Sequence, residues 1–289
     1  MRIAGFLFIR NAITYSYPVK QALLSLLPLC DEVFVSIGNS EDDTVGLIQS
    51  IGSPKIRISH SVWDDSLREG GKVLAVETDK AFHQVPDYVD WCIYLQGDEV
   101  IHENDYPIIR QNMERYKDDE QVDGLLFHYH HFYGSYDYTG DSRRWYRHEI
   151  RVIRNDKQIH SYRDAQGFRK NGRKLRVKLI DAHIFHYGWV RDPSAQVNKH
   201  LAFEKLYNLD GWARQVAANE SFDYSGIDSL QKFNGTHPSV MQELIAQKNW
   251  HFSADISRKR FTLKGWLLYW IEKYTGKRLF EYRNYHILP

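Results

Sequence analysis

The stretch Trp91-Cys92-Ile93-Tyr94-Leu95-Gln96-Gly97-Asp98-Glu99 decides how this chain folds. Its first five residues are an apolar run of strand length, and they lead directly into a glycine and two carboxylates. A strand apolar on both faces suits a parallel sheet, and such sheets bind ligands outside the carboxyl ends of their strands. Gly97 allows a ligand close to the backbone. Asp98 and Glu99 offer oxygen to a hard cation such as Mg2+ or Mn2+, which completes its shell with water and substrate phosphates.

Working outward, the preceding hundred residues alternate between strand and helix signals. Ile3 to Ile9 and Glu32 to Ile37 are buried strands, and Lys55 to Ser59 is a third. Tyr15 to Leu29, Asp43 to Ile51 and Gly71 to Val85 carry helical spacing between them. Four strands with helical crossovers predict an α/β fold with a mostly parallel central sheet flanked by helices. After a helix over Tyr106 to Tyr116, the segments Leu125 to Tyr133, Glu149 to Arg154 and Leu175 to Tyr187 alternate, as antiparallel additions to that sheet would. From Pro193 the chain reads as helical, so the division is a first domain over 1–190 and a helical C-terminal extension over 191–289.

Composition limits the function. The 289 residues carry 43% apolar and 26% charged residues with a net charge of +1, so no global field draws the protein to nucleic acid. Aromatic residues reach 14%, which suits stacking on sugar rings and equally suits a plain core. The two cysteines, Cys30 and Cys92, lie in apolar runs and read as buried thiols rather than a disulfide framework. The apolar N-terminus is too short for a membrane span, and the expected location is cytoplasmic.

Four strand ends carry a resemblance: Arg10-Asn11, Val35-Ser36-Ile37-Gly38-Asn39-Ser40-Glu41-Asp42-Asp43-Thr44, Trp63-Asp64-Asp65, and Leu95-Gln96-Gly97-Asp98-Glu99. In order and spacing they resemble family 2 glycosyltransferases, most closely the bacterial enzymes that build surface polysaccharides. The resemblance implies a GT-A (Rossmann-like) fold, a divalent metal (Mn2+ or Mg2+), a nucleotide diphosphate-sugar donor and inversion at the anomeric carbon. It makes Asp98 a metal ligand and donor contact, with Glu99 toward the donor sugar. Arg10, Asn11, Asp64 and Lys72 fall where the family contacts its donor, and Arg68 and Arg191 offer further positive charge. The family often holds the donor base with an Asp at the end of the second strand. Ile37 stands there, leaving Asn39 or Asp42 to substitute and a UDP-sugar as the default donor.

Asp181-Ala182-His183-Ile184-Phe185-His186-Tyr187 adds a third piece. Two histidines three apart on a strand face opposite ways, so only one of His183 and His186 can join Asp98. His186-Tyr187 resembles a His-Tyr step that supplies a further metal ligand in related transferases. Inversion needs a base for the acceptor hydroxyl, and the resemblance points to Asp164; an ion pair with Arg163 or Arg169 is the alternative. His128 and His130 share a strand face and suit a zinc pair, an acceptor-binding wall or an aromatic core edge.

The tail, Arg258 to Arg283, mixes basic residues with tryptophans, and Leu263, Leu267, Trp270, Ile271 and Tyr274 share one helical face. Such a segment suits peripheral contact with an anionic membrane and a saccharide or lipid-linked saccharide acceptor; packing on its own domain is the alternative. Two other functions stay open. One is a carbohydrate-binding or scaffolding protein with lapsed catalysis. The other is a sugar-phosphate nucleotidyltransferase, although Arg10-Asn11-Ala12-Ile13 stands where that class needs a glycine-rich basic loop.

Overall fold

Ile3–Ile9 (β1) is buried at every residue but Phe8, so it needs cover on both faces and takes a central place in its sheet. It pairs in parallel with Glu32–Ile37 (β2), which pairs in turn with Ile56–His60 (β3). On its other side lies Trp91–Tyr94 (β4), also parallel. The computed structural model describes residues 1–67, 69–207 and 221–289, with backbone alone at 69 and 202–207. Arg68 lies outside the described residues.

Val19–Leu26 (α1), Thr44–Gln49 (α2) and Lys72–His83 (α3) connect these strands. The first helix is shorter than its sequence pattern, because Pro18 opens it and Ser16 takes a left-handed φ of 49°. Asp43 caps α2 by accepting a hydrogen bond from the Gly46 N–H.

Beyond β4 the chain turns at once into Glu99–Ile101 (β5), followed by Tyr106–Arg115 (α4). Gly124–Tyr133 (β6) pairs antiparallel with both Ser135–Gly140 (β7) and His148–Arg154 (β8), and β8 pairs antiparallel with β4. Ile159–Tyr162 (β9), Gly167–Lys170 (β10) and Arg173–Lys174 (β11) form a separate small sheet. The long strand Arg176–Trp189 (β12) returns beside β6, in parallel, and pairs antiparallel with β5. The fold is thus the expected α/β arrangement of a mostly parallel core extended by antiparallel strands, in the order β7-β6-β8-β4-β1-β2-β3 with β12 beside β6.

The two faces of the sheet bury separate cores. One gathers Leu7, Val33, Val35 and Ile93 under Leu23 and Leu26 of α1. The other sets Phe6, Phe34 and Tyr94 against Val73 and Phe82 of α3 and Phe168 of β10. Cys30 and Cys92 are free and buried, and burial pushes both thiols far above their usual pKa.

Residues 191–289 are not only helical. They supply Pro193–Tyr207 (α5), Leu230–Lys232 (β13), Gln242–Ala246 (α6), Leu263–Thr275 (α7) and His286–Ile287 (β14). β13 pairs with β7 and β14 with β12, so this region completes the main sheet. No described helix is long and apolar enough to cross a membrane.

Candidate active site

A cleft of about 820 Å³ opens at the carboxyl ends of β1 and β4, where an open parallel sheet binds ligands. The tip of β1 contributes Arg10 and Asn11, and the turn after β4 contributes Gln96, Gly97 and Asp98. Asp164 and Gln166, from the β9–β10 turn, and Asn198 of α5 line other parts of the cleft wall, with Trp63 and Tyr146.

Asp98 lines the cleft, and register sets His186 behind it. In the β5–β12 pair His186 stands opposite Glu99, which sets His186 beside Asp98. His186 Nε2 lies 3.8 Å from Asp98 Oδ1, and Lys199 of α5 donates to Asp98 Oδ2 at 3.0 Å. Burial alone would raise the Asp98 carboxyl. The Lys199 ammonium and His186 outweigh it and hold the group well below the usual carboxylate range. Burial and Arg191 in turn lower Lys199 to about 8 against the pull of Asp98.

The tautomers follow from the hydrogen bonds. His131 is buried and held neutral, and its Nε2–H donates to the Tyr146 carbonyl at 2.9 Å. Its Nδ1 therefore accepts, and the partner at 3.1 Å is His186 Nδ1, which must carry the proton. Burial also lowers His186, so its Nε2 presents a lone pair on the side of Asp98. A metal-binding histidine is prepared in this way when its other nitrogen donates to a fixed acceptor. The Gly188 backbone also passes close to both groups. A Cβ on Gly188 would stand 2.5 Å from His186 Nε2 and 2.9 Å from Asp98 Oδ2. The donor set, one carboxylate and one neutral imidazole, fits Mn2+ better than Mg2+. Among the described residues no third carboxylate, thiolate or imidazole completes a protein-only site.

The other expected site residues separate into two groups. Arg10 donates to Asp65 at 2.9 Å and lies 5.5 Å from the Trp63 ring, so Asp65 rather than Asp64 takes part in the cleft wall. Asp64 is exposed and accepts from the Ser66 backbone at 3.0 Å, and Lys72 is exposed at the start of α3; neither lines the cleft. Asn11, at a left-handed φ of 53°, accepts from the Glu41 N–H at 2.7 Å and ties the β1 and β2 tips together. Asn39 is exposed and accepts from the Trp63 N–H at 3.3 Å. Asp42 is engaged by the Thr14 N–H at 2.7 Å and by Thr44, and neither it nor Asn39 lines the cleft.

Glu99 departs furthest from its expected place. It is fully buried, and Arg151 binds it with two hydrogen bonds of 2.7 and 2.8 Å. Tyr129 and the Gln96 N–H take its remaining capacity at 2.8 and 3.1 Å. It braces the turn behind Asp98 instead of facing the cleft. His183 lies on the other face of β12, its ring stacked 4.9 Å from that of His130, and its N–H donates to Asp105 at 2.7 Å.

Sequence patterns missed His131 and Lys199 as partners of the site. Alternation along β6 puts His131 on the Tyr129 face without pointing to a partner, and only the parallel β6–β12 register sets it opposite His186. Lys199 is 101 residues from Asp98 on a helix with no distinguishing pattern.

No family model matches the chain, and no curated protein matches it. Among solved structures it is similar to S. aureus TarS 1-349 in complex with UDP, at 13% identity and a TM-score of 0.42, over 71% of this chain and 65% of that one. Glucosyl-3-phosphoglycerate synthase from Mycobacterium tuberculosis, in complex with Mn2+, UDP-glucose and phosphoglyceric acid, matches at 16% identity and a TM-score of 0.32, over 44% of each chain. A third similarity is to 4-diphosphocytidyl-2C-methyl-D-erythritolsynthase from Anaerococcus prevotii, at 10% identity and a TM-score of 0.39, over 66% of this chain and 89% of that one. The chain covers 39% of the longer S. aureus TarS structure.

Proposed function

We propose that this chain is an inverting glycosyltransferase that moves a sugar from a nucleoside-diphosphate sugar, by default a UDP-sugar, to an acceptor hydroxyl. The acceptor we infer is a saccharide or lipid-linked saccharide of surface-polysaccharide synthesis. One observation carries the reading: His186, held through Nδ1 by His131 at 3.1 Å, sets its Nε2 3.8 Å from the Asp98 carboxylate, which lines a cleft on the ligand-binding edge of the sheet.

Asp98 and His186 would hold the divalent ion, which when bound supplies positive charge for a departing diphosphate. The chain's own cations support the same task. Arg191 is buried beside Gly188 and donates to its carbonyl at 3.2 Å, and Lys199 donates to that carbonyl at 3.0 Å. Fixed donors of this kind favour the developing negative charge of the leaving group without reorganising. Asp164 is the group we assign to take the acceptor proton. It sits in a turn whose flanking residues, Arg163 and Ala165, hold left-handed φ values of 59° and 62°, the kind of strain kept where a side chain must be aimed. The aromatic rings of Trp63 and Tyr15, in the cleft wall, are available to a nucleobase.

Calorimetric titration of UDP with and without Mn2+ tests the proposal, alongside hydrolysis of a panel of nucleotide-sugars. Mn2+-dependent UDP binding is expected in the unmodified chain and is expected to weaken at least about tenfold in Asp98→Asn and Gly188→Ala. Asp164→Asn should keep that binding and lose transfer by roughly 10²–10⁴-fold. Failure of any nucleotide to bind the cleft defeats the reading. A second reading, transfer without a metal, is favoured by the Lys199 ammonium already 3.0 Å from Asp98. UDP binding that survives a chelator and is lost in Lys199→Met would select it.

A further inference from the structure

Helix α7 is fastened to the protein by its charged side and turns its apolar side outward. On the inner side Tyr269 and Lys273 both donate to Asp141 at 2.8 Å. Glu272, the helix's one acidic residue, binds Arg143 at 2.8 Å and Arg278 at 3.4 Å. On the outer side stand Leu263, Leu267, Trp270 and Tyr274, at 91%, 62%, 46% and 82% exposure. Their spacing of four, three and four residues puts them on one stripe of a 3.6-residue helix. A helix lying on a globular protein normally shows the reverse arrangement, apolar inward and charged outward.

The Trp270 ring stacks on Trp266 at 6.2 Å and on Tyr274 at 5.5 Å, a ladder along the surface. After the left-handed cap at Gly276, Leu279 and Phe280 add two further exposed apolar side chains, at 41% and 89% exposure. Phe280 holds a φ of 59°, a conformation that bulky residues rarely adopt, and the side chain it sets outward has no core to reward it. An apolar surface of this extent marks an interaction site.

Charge identifies the partner. Lys264 and Lys277 are exposed near the two ends of the stripe, and neither has an ion pair among the described residues. A second copy docked antiparallel across a two-fold axis would set Lys264 of one chain against Lys277 of the other, which is unfavourable. An anionic phospholipid surface instead accepts the leucines and Phe280 into its acyl boundary, the Trp and Tyr rings at headgroup level, and the lysines against phosphate. We infer that α7 and the adjoining Leu279–Phe280 form an interfacial docking surface for an anionic bilayer. The surface is linked to the cleft through one loop, because the segment that supplies Asp141 and Arg143 to α7 also supplies Tyr146 to the cleft wall. The inference does not depend on which reaction the cleft performs.

Co-sedimentation of the full chain with phosphatidylglycerol–phosphatidylcholine vesicles at low salt, against phosphatidylcholine alone, tests it. The unmodified protein should partition to the anionic vesicles with a blue shift in tryptophan emission. Leu267→Glu and the pair Lys264→Glu/Lys277→Glu should each weaken partition about tenfold or more, with thermal midpoints unchanged. Three outcomes overturn the inference: no binding to anionic vesicles, equal binding to both vesicle types, or variants that partition like the parent. Light scattering that shows a dimer dissolved by Leu267→Glu would also overturn it, in favour of self-association.

Discussion

Glu149 shows how burial sets chemistry at the scale of one side chain. It is 3% exposed, and its Oε2 has no hydrogen-bond partner among the described residues. Burial pushes its carboxyl up from 4.5 to about 8, Arg151 opposes this, and Glu99 and Asp164 add to it. The unfolded chain releases this proton near 4.5, whereas the folded chain keeps it to about 8. Between those values the native state binds more protons, so stability falls as pH rises, by at most about 1.4 kcal/mol per pH unit from this group, and levels off above. Urea unfolding across that range should show the slope, and Glu149→Gln should flatten it; an unchanged slope would assign it to other groups. Of the residues that build the site, Asp98 was legible because it follows an apolar strand directly. The fate of Glu99 was not, because its partner Arg151 is 52 residues away and local pattern cannot show which charges meet when buried.

Among the elements, the β6–β7 bend depends on one residue. Gly134 holds a φ of 70°, and a Cβ there would stand 2.6 Å from the Phe252 ring. Its carbonyl also accepts from Trp250 Nε1 at 2.8 Å, so the bend binds the C-terminal region to the sheet. Gly134→Ala should cost about 2–4 kcal/mol, combining a left-handed backbone penalty with overpacking. A urea midpoint unchanged from the parent would show that the aromatic cluster gives way freely. Strands and helices of the first hundred residues were legible to within a few residues, since each carries its own period. For α7 the apolar stripe was legible, but its outward direction was not. Periodicity shows which residues share a face and says nothing of where that face points.

At the scale of the whole molecule, the expected boundary at residue 190 cuts through shared structure. Tyr285 packs in the core beneath α3, Arg169 donates to the Asn284 carbonyl at 2.9 Å, and β14 extends the sheet at β12. Lys199, which pairs with Asp98, is also beyond that boundary. A fragment ending at residue 190 should therefore bind a hydrophobic dye and lose its cooperative thermal transition. A sharp transition from that fragment would show that the first part folds alone. By itself the sequence determined the α/β class, the parallel order of the early strands and the position of Asp98 at a strand end. These follow from apolar periodicity and turn residues within short windows. Tertiary structure decided that His186 rather than His183 meets Asp98, that His131 sets its tautomer, that Glu99 is a buried brace, and that α7 faces outward. Each of these rests on register or packing between segments distant in the chain, where the energy of a contact depends on geometry that no local pattern contains.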